Sequence, residues 1–283
     1  MLAILIGLLT QNDVDANVVY SKVGDVELKM DIYQPTSSAE ASPLGTKRGG
    51  STPRKAIVMM HGGAWVSGSK EVMTAKAKYF AGAGFVVANI SYRLGPKAKW
   101  PAMLDDAQTA VRYLRTNAKK LNIDPDRIGA TGESAGGHLA SFLGTRETRD
   151  PKPAEFSSVS SRVQAVLNFF GPCDMTGDFP PIMDGIYPMV LGKKKADAAE
   201  ECKDASPLLF FTNKTAPMFI YQGLIDPLVN PEISRTAEAK LKELGIPVEA
   251  RYLEGIGHEV KMSDASAALA VDDGITFLKK HLN

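Results

Sequence analysis

Short, largely apolar runs punctuate this chain, and between most of them apolar positions recur every three or four residues. The runs at residues 56–60, 85–90, 128–131, 163–170 and 218–221 lack regular polar alternation, as strands covered on both faces do. Residues 248–253 add a further strand with alternating polar positions. Helical spacing fills the intervals, over residues 72–83, 103–118, 137–143, 231–244 and 265–281. Upstream, residues 18–23 and 26–33 alternate around Gly24-Asp25, which predicts an antiparallel hairpin. The pattern predicts an α/β fold: a mostly parallel, eight-stranded sheet with helices on both faces.

Three stretches fall outside this rhythm. Residues 36–54, rich in Ser, Gly, Pro and basic side chains, read as an exposed loop. Residues 171–216 carry Pro172, Pro180, Pro181 and Pro188 with Met183, Met189, Phe179, Tyr187, Phe210 and Phe211. An insertion this long between core strands is expected to act as a lid or binding loop. Residues 1–16 begin with a nearly all-apolar segment that has no basic n-region and is too short to span a bilayer. It reads as the remnant of a signal peptide or as a terminal segment packed on the domain, with export (periplasmic or secreted) favoured over a cytoplasmic location. Residues 17–283 are expected to form one domain.

Composition narrows the partners. With 283 residues and 44% hydrophobic content, one large buried core is within reach. A formal net charge of +1 gives no reason to expect nucleic acid or an anionic membrane surface, so the expected partner is a small molecule. Cys173 and Cys202 have neither metal-ligand spacing nor a disulfide framework, and are read equally as a pair or as two separate thiols.

Chemistry concentrates at Gly132-Glu133-Ser134-Ala135-Gly136, which follows a predicted strand and precedes a predicted helix. A strand, G-x-S-x-G, helix order sets a serine on a tight, strained turn, with its hydroxyl clear of the sheet. The hydroxyl needs a base, and only four histidines are available. His138 lies within the helix that follows the serine, His281 at a helix end, and His61 directly after the 56–60 strand. His258 sits in a glycine-rich loop after the 248–253 strand, where open α/β sheets build their sites, and is the best base. Asp226, in the turn after the 218–221 strand, is placed to orient it. An oxyanion needs N–H donors, for which His61-Gly62-Gly63-Ala64-Trp65 and the amide of Ala135 are the expected sources.

These motifs, together with Ser91-Tyr92-Arg93-Leu94, Trp100-Pro101-Ala102, Asp124-Pro125, Gly137-His138, Asp226-Pro227 and Gly257-His258, resemble the α/β-hydrolase superfamily. Within it, the chain is similar to esterases related to hormone-sensitive lipase. The resemblance implies a serine carboxylesterase with a Ser134–His258–Asp226 triad and an oxyanion hole from Gly62, Gly63 and Ala135. It implies no cofactor and no metal. The family's usual third glycine is Ala64 here, followed by Trp65, which is closer to the acetylxylan/feruloyl esterase and arylformamidase branches. Which of Gly62, Gly63 and Ala64 donates the main N–H groups stays open. Trp65 is expected to crowd the pocket and favour short acyl groups, with acetyl or feruloyl esters of plant polysaccharide as the implied substrates. An arylformamidase-like amidase would use the same machinery. A prolyl-oligopeptidase-like peptidase would need a propeller domain for which this chain has no room. A non-catalytic ligand-binding relative would be expected to lack a triad member. Arg93 with Asp105 or Asp106 reads as an ion pair with at least one carboxylate solvated, and Lys193-Lys194-Lys195 as a solvated face.

Overall fold

The computed structural model describes residues 14–35, 52–148 and 155–283, so the N-terminal segment and most of the polar stretch at 36–54 lie outside the described residues. Its strands are β1 (Val14–Val23), β2 (Val26–Tyr33), β3 (Arg54–Met60), β4 (Val86–Ile90), β5 (Ile123–Glu133), β6 (Ala165–Phe169), β7 (Met218–Gly223) and β8 (Val248–Leu253). They form one eight-stranded sheet in the order β1-β2-β4-β3-β5-β6-β7-β8. The hairpin β1–β2 and the β2–β4 pairing are antiparallel, and every other pairing is parallel. β1 begins four residues before the predicted start, and register shifts interrupt it between Asp15 and Val18, on its exposed N-terminal half, and between Val19 and Ser21.

The main helices are α1 (Thr74–Gly82), α2 (Ala102–Thr116), α3 (Ala118–Leu121), α4 (Ala135–Leu143), α5 (Ile186–Val190), α6 (Ala199–Asp204), α7 (Pro231–Glu243) and α8 (Ala265–His281). Alternate strand side chains face opposite ways, so β3 divides its residues between two cores. Val58 and Met60 join Leu139, Phe142, Val111 and Leu241 on the α2, α4 and α7 face. Ile57 and Met59 join Phe80, Val271, Phe277 and Leu278 on the α1 and α8 face. β4, β6 and β7 are buried along their whole length, which accounts for their apolar character.

Strand order fixes where a site can form. From β3 the chain turns to β4 on one side, and from β5 it turns to β6 on the other. The connections therefore diverge between β3 and β5, whose carboxyl ends pair at Met60 and Gly132. Open α/β sheets carry their ligand crevice at this kind of switch point.

Residues 171–216 are not irregular chain. They contain α5, α6 and 3₁₀ turns at Pro181–Gly185, Lys195–Asp197 and Pro207–Phe210. Each piece is too short to stand alone, and α5 and α6 are tied to Trp100. Trp100 Nε1 donates to Asp204 at 2.8 Å, the Trp100 amide donates to the Val190 carbonyl at 2.7 Å, and Tyr187 is buried. Lys195 departs from the solvated reading of its tract. It is half-buried, bonded to the Gly177 carbonyl and set over the Phe179 and Tyr187 rings, whereas Lys193 and Lys194 are exposed. Cys173 and Cys202 are two separate buried thiols.

Candidate active site

Ser134 occupies the turn between β5 and α4 with φ 53° and ψ −116°, a left-handed conformation that a side chain avoids unless its surroundings impose it. Its amide donates to the Phe169 carbonyl at 2.9 Å, and its carbonyl accepts from the His138 amide at 2.9 Å. The glycines flanking it are required by contact. A Cβ on Gly136 would lie 2.2 Å from the Met60 carbonyl oxygen, and one on Gly132 would lie 2.5 Å from the Gly136 backbone. Helix α4 therefore presses its first turn onto the ends of β3 and β5. Ser134 stays partly exposed, while all nine residues of α4 are buried.

The loop after β3 comes up beside the serine. A Cβ on Gly62 would sit 3.1 Å from the Glu133 carbonyl oxygen and 3.4 Å from Ser134 Cβ, so a side chain here would fit only if its neighbours gave way by a few tenths of an ångström. Gly62, Gly63 and Ala64 are partly exposed and Ala135 is buried. Gly63, Ala64 and Trp65 all have positive φ, at 119°, 50° and 61°. Trp65 is buried, and its indole N–H donates to His138 Nδ1 at 3.3 Å. With Trp100, Met183, Tyr187 and Leu191 it lines a small apolar pocket over the first turns of α4.

Asp226 and His258 meet on the far side, 2.7 Å apart between Oδ2 and Nδ1. Asp226 Oδ2 also accepts from Gln222 Nε2 at 3.1 Å, and Oδ1 accepts from the amides of Leu228 and Val229 at 2.8 and 2.9 Å. Pro227 has no N–H, so the turn offers its next two amides instead. Burial alone would raise the Asp226 carboxyl. The bonds from His258 and from the Val229 and Leu228 amides outweigh it and hold the group below the ordinary carboxylate range. An ionised carboxylate only accepts, so the proton on the His258 ring sits at Nδ1 and Nε2 keeps its lone pair. The Phe170 ring packs on the imidazole at 4.5 Å, one residue beyond the carbonyl that holds the Ser134 amide.

The remaining expectations divide. His61 and His138 are buried at 0% and 1% exposure, deep in the packing rather than in the crevice. Arg93 pairs through both its guanidinium and its amide with Asp106, which is 2% exposed, so the buried ion pair forms there, with Asp105 the more exposed of the two carboxylates. Sequence reasoning missed Gln222, whose only signal is a polar side chain at the end of an apolar strand, and the ion pair of Lys76 with Glu133 at 2.6 Å.

Comparison with known proteins places these features in a wider set. The BD-FAE family model matches residues 30–241. Esterase LipC of Mycobacterium tuberculosis is 29% identical over 222 residues, covering 76% of this chain and 55% of that protein. The chain spans about half the length of the curated relatives it matches first. Among solved structures, a truncated carbohydrate esterase from gut microbiota superposes with a TM-score of 0.79 at 27% identity, covering 95% of this chain and 96% of that one. Thermogutta terrifontis esterase 2 phosphorylated by paraoxon superposes with a TM-score of 0.74 at 29% identity, covering 94% and 92%.

Proposed function

Because the chain belongs to the BD-FAE family and has the α/β-hydrolase fold, we propose that it is a serine carboxylesterase whose catalytic residues are Ser134, His258 and Asp226. The observation that carries the reading is the Asp226–His258 pair, which leaves a lone pair on His258 Nε2 at the edge of the sheet that also presents a strained Ser134. Ser134 Oγ attacks the ester carbonyl as His258 Nε2 takes its proton, and Asp226 stabilises the imidazolium. The amides of Gly62, Gly63 and Ala135 receive the oxyanion. His258 then protonates the departing alcohol. Water, deprotonated by the same nitrogen, cleaves the acyl-enzyme and restores the serine.

Short acyl groups are supported by the small apolar pocket that Trp65, at the end of the Gly62–Gly63 loop, lines with Trp100 and Tyr187. Residues 171–216 supply part of that wall and act as a lid over it. Acetyl or feruloyl esters of plant polysaccharide are the proposed natural substrates, supported by the family match and by the likeness to a carbohydrate esterase. A fluorophosphonate probe is expected to label the wild type and not Ser134→Ala, whose kcat falls at least about 10⁴-fold. Labelling that persists in Ser134→Ala overturns the assignment of the nucleophile. Faster turnover of octanoyl than of acetyl or butyryl esters overturns the acyl preference.

A further inference from the structure

The loop after β3 holds its amides in a particular way. A trans peptide is planar, so its C=O and N–H point in opposite directions, and fixing the carbonyl aims the N–H. Three successive carbonyls of this loop are bonded. The His61 carbonyl accepts from the Tyr92 hydroxyl at 2.8 Å, which orients the Gly62 N–H. The Gly62 carbonyl accepts from His61 Nδ1 at 2.7 Å, which orients the Gly63 N–H. The Gly63 carbonyl accepts from the amides of Val66 and Ser67, each at 3.0 Å, which orients the Ala64 N–H.

Two of the three bonds depend on one stack of rings. His61 and Tyr92 lie face to face with centroids 4.3 Å apart and planes 10° apart. The stack sets the imidazole edge towards Gly62 while the phenol reaches the carbonyl of the same histidine. Because Gly62 O can only accept, His61 must carry its proton on Nδ1. Its Nε2 is then left buried without a partner. A buried acceptor without a donor is costly, and an apolar residue here would avoid that cost, so the position is chosen for the Nδ1–H bond. Gly68 fits the same requirement, since a Cβ there would lie 2.6 Å from both His61 Nδ1 and Gly62 O. Tyr92 is itself held, because the next amide, that of Arg93, donates to buried Asp106 at 2.8 Å.

We propose that Tyr92, acting through His61, is a positioning residue that aims the Gly62 and Gly63 amides at the oxyanion. The inference rests on the oxyanion role given to those amides above. It also accounts for the Ser91-Tyr92-Arg93-Leu94 motif, in which Arg93 locks the segment to α2 and Tyr92 extends its hydroxyl to the loop. Burial keeps the phenol far above its usual range, so it is a neutral donor at the pH of an ester-hydrolysis assay.

Tyr92→Phe keeps the stacked ring and removes only the hydroxyl. With p-nitrophenyl acetate, kcat is expected to fall about tenfold to a hundredfold, less than for loss of a whole donor, with KM within about twofold. The affinity of phenylboronic acid, which forms a tetrahedral adduct on the serine, is expected to fall by a similar factor. Paraoxon titration still counts one reactive serine per chain. His61→Leu is expected to lose at least as much, and His61→Asn, whose side-chain amide takes the place of Nδ1–H, to recover most of it. If Tyr92→Phe and His61→Leu keep kcat and boronate affinity within about twofold, the proposal is wrong. It is equally wrong if kcat falls while boronate affinity does not, since the defect then lies elsewhere. Loss of paraoxon labelling only in Ser134→Ala keeps the esterase site standing whichever way the Tyr92 result falls.

Discussion

On one flank of the crevice the backbone from Gly63 to Trp65 and at Ser134 lies in the left-handed region, carbonyls are bonded one after another, and the residues behind are wholly buried. On the other flank, Asp226 and His258 sit on ordinary turns, and the imidazole is partly exposed. Under the proposed roles the two flanks face different demands. Charge that develops on an oxyanion is best met by dipoles that cannot reorient, so that flank is rigid and strained. A proton carrier must serve the nucleophile, the leaving alcohol and then water, so its flank is organised by hydrogen bonds to one carboxylate, with the Phe170 ring packed on the imidazole. Strain on the first flank, of order 1–3 kcal/mol at Ser134, is sustained by the close packing of α4 on β3.

The comparison breaks most visibly at Asp226. Asp226→Asn keeps the shape of the turn but presents an amide to His258, favouring the proton on Nε2 where the lone pair is needed. The expected loss in kcat is about 10³–10⁴-fold, and the melting temperature falls too, because the new amide also faces the Gln222 side-chain amide. A loss under tenfold would mean that His258 does not depend on Asp226 for its tautomer. On the other flank, Gly136→Ala is expected to act on the fold first. The added methyl would meet the Met60 and His61 carbonyl oxygens at 2.2 and 2.7 Å. Backbone cannot yield as a side chain can, so about 3–4 kcal/mol of stability should be lost, measured by urea denaturation. Wild-type stability for this variant would show that α4 is not wedged against β3.

How much of this is legible in the sequence follows from the range of the contacts. The elbow is legible because its requirements lie within five adjacent residues, two glycines and a serine, and in the apolar run and helix that directly flank them. Asp226 and His258 are legible because each follows a recognisable strand. The partnership of Tyr92 with His61 is not, since it joins positions 31 residues apart whose meeting depends on β4 lying beside β3. Gln222 escapes for a similar reason, its place beside Asp226 being set by a turn. Residues 171–216 mislead in another way. Their prolines suggest irregular chain, yet short helices form where Trp100 and Arg146 hold Asp204 at the end of α6 and where Tyr187 of α5 is buried.

A finer contrast lies between two histidines. His258 keeps one ring edge towards the crevice, whereas His138 on α4 accepts from Trp65 at Nδ1 and donates from Nε2 to the Ala205 carbonyl at 2.7 Å. Both ring nitrogens of His138 are thus used by the neutral form, and burial pushes its pKa down to about 4 despite the bond to Ala205. In the unfolded chain the same ring titrates near 6.5, so below that pH the unfolded state takes up a proton that the folded state refuses. Stability held in full above pH 6.5 should therefore drain away as the pH falls towards 4, by about 2–3 kcal/mol from this residue. His138→Gln retains a donor and an acceptor but has nothing to titrate. Urea denaturation at pH 8 and pH 4.5 should show the variant losing about 2–3 kcal/mol less than the wild type between the two values. Parallel losses in both proteins would mean that His138 is charged in the fold, and that the wall it shares with Trp65 is polar rather than dry.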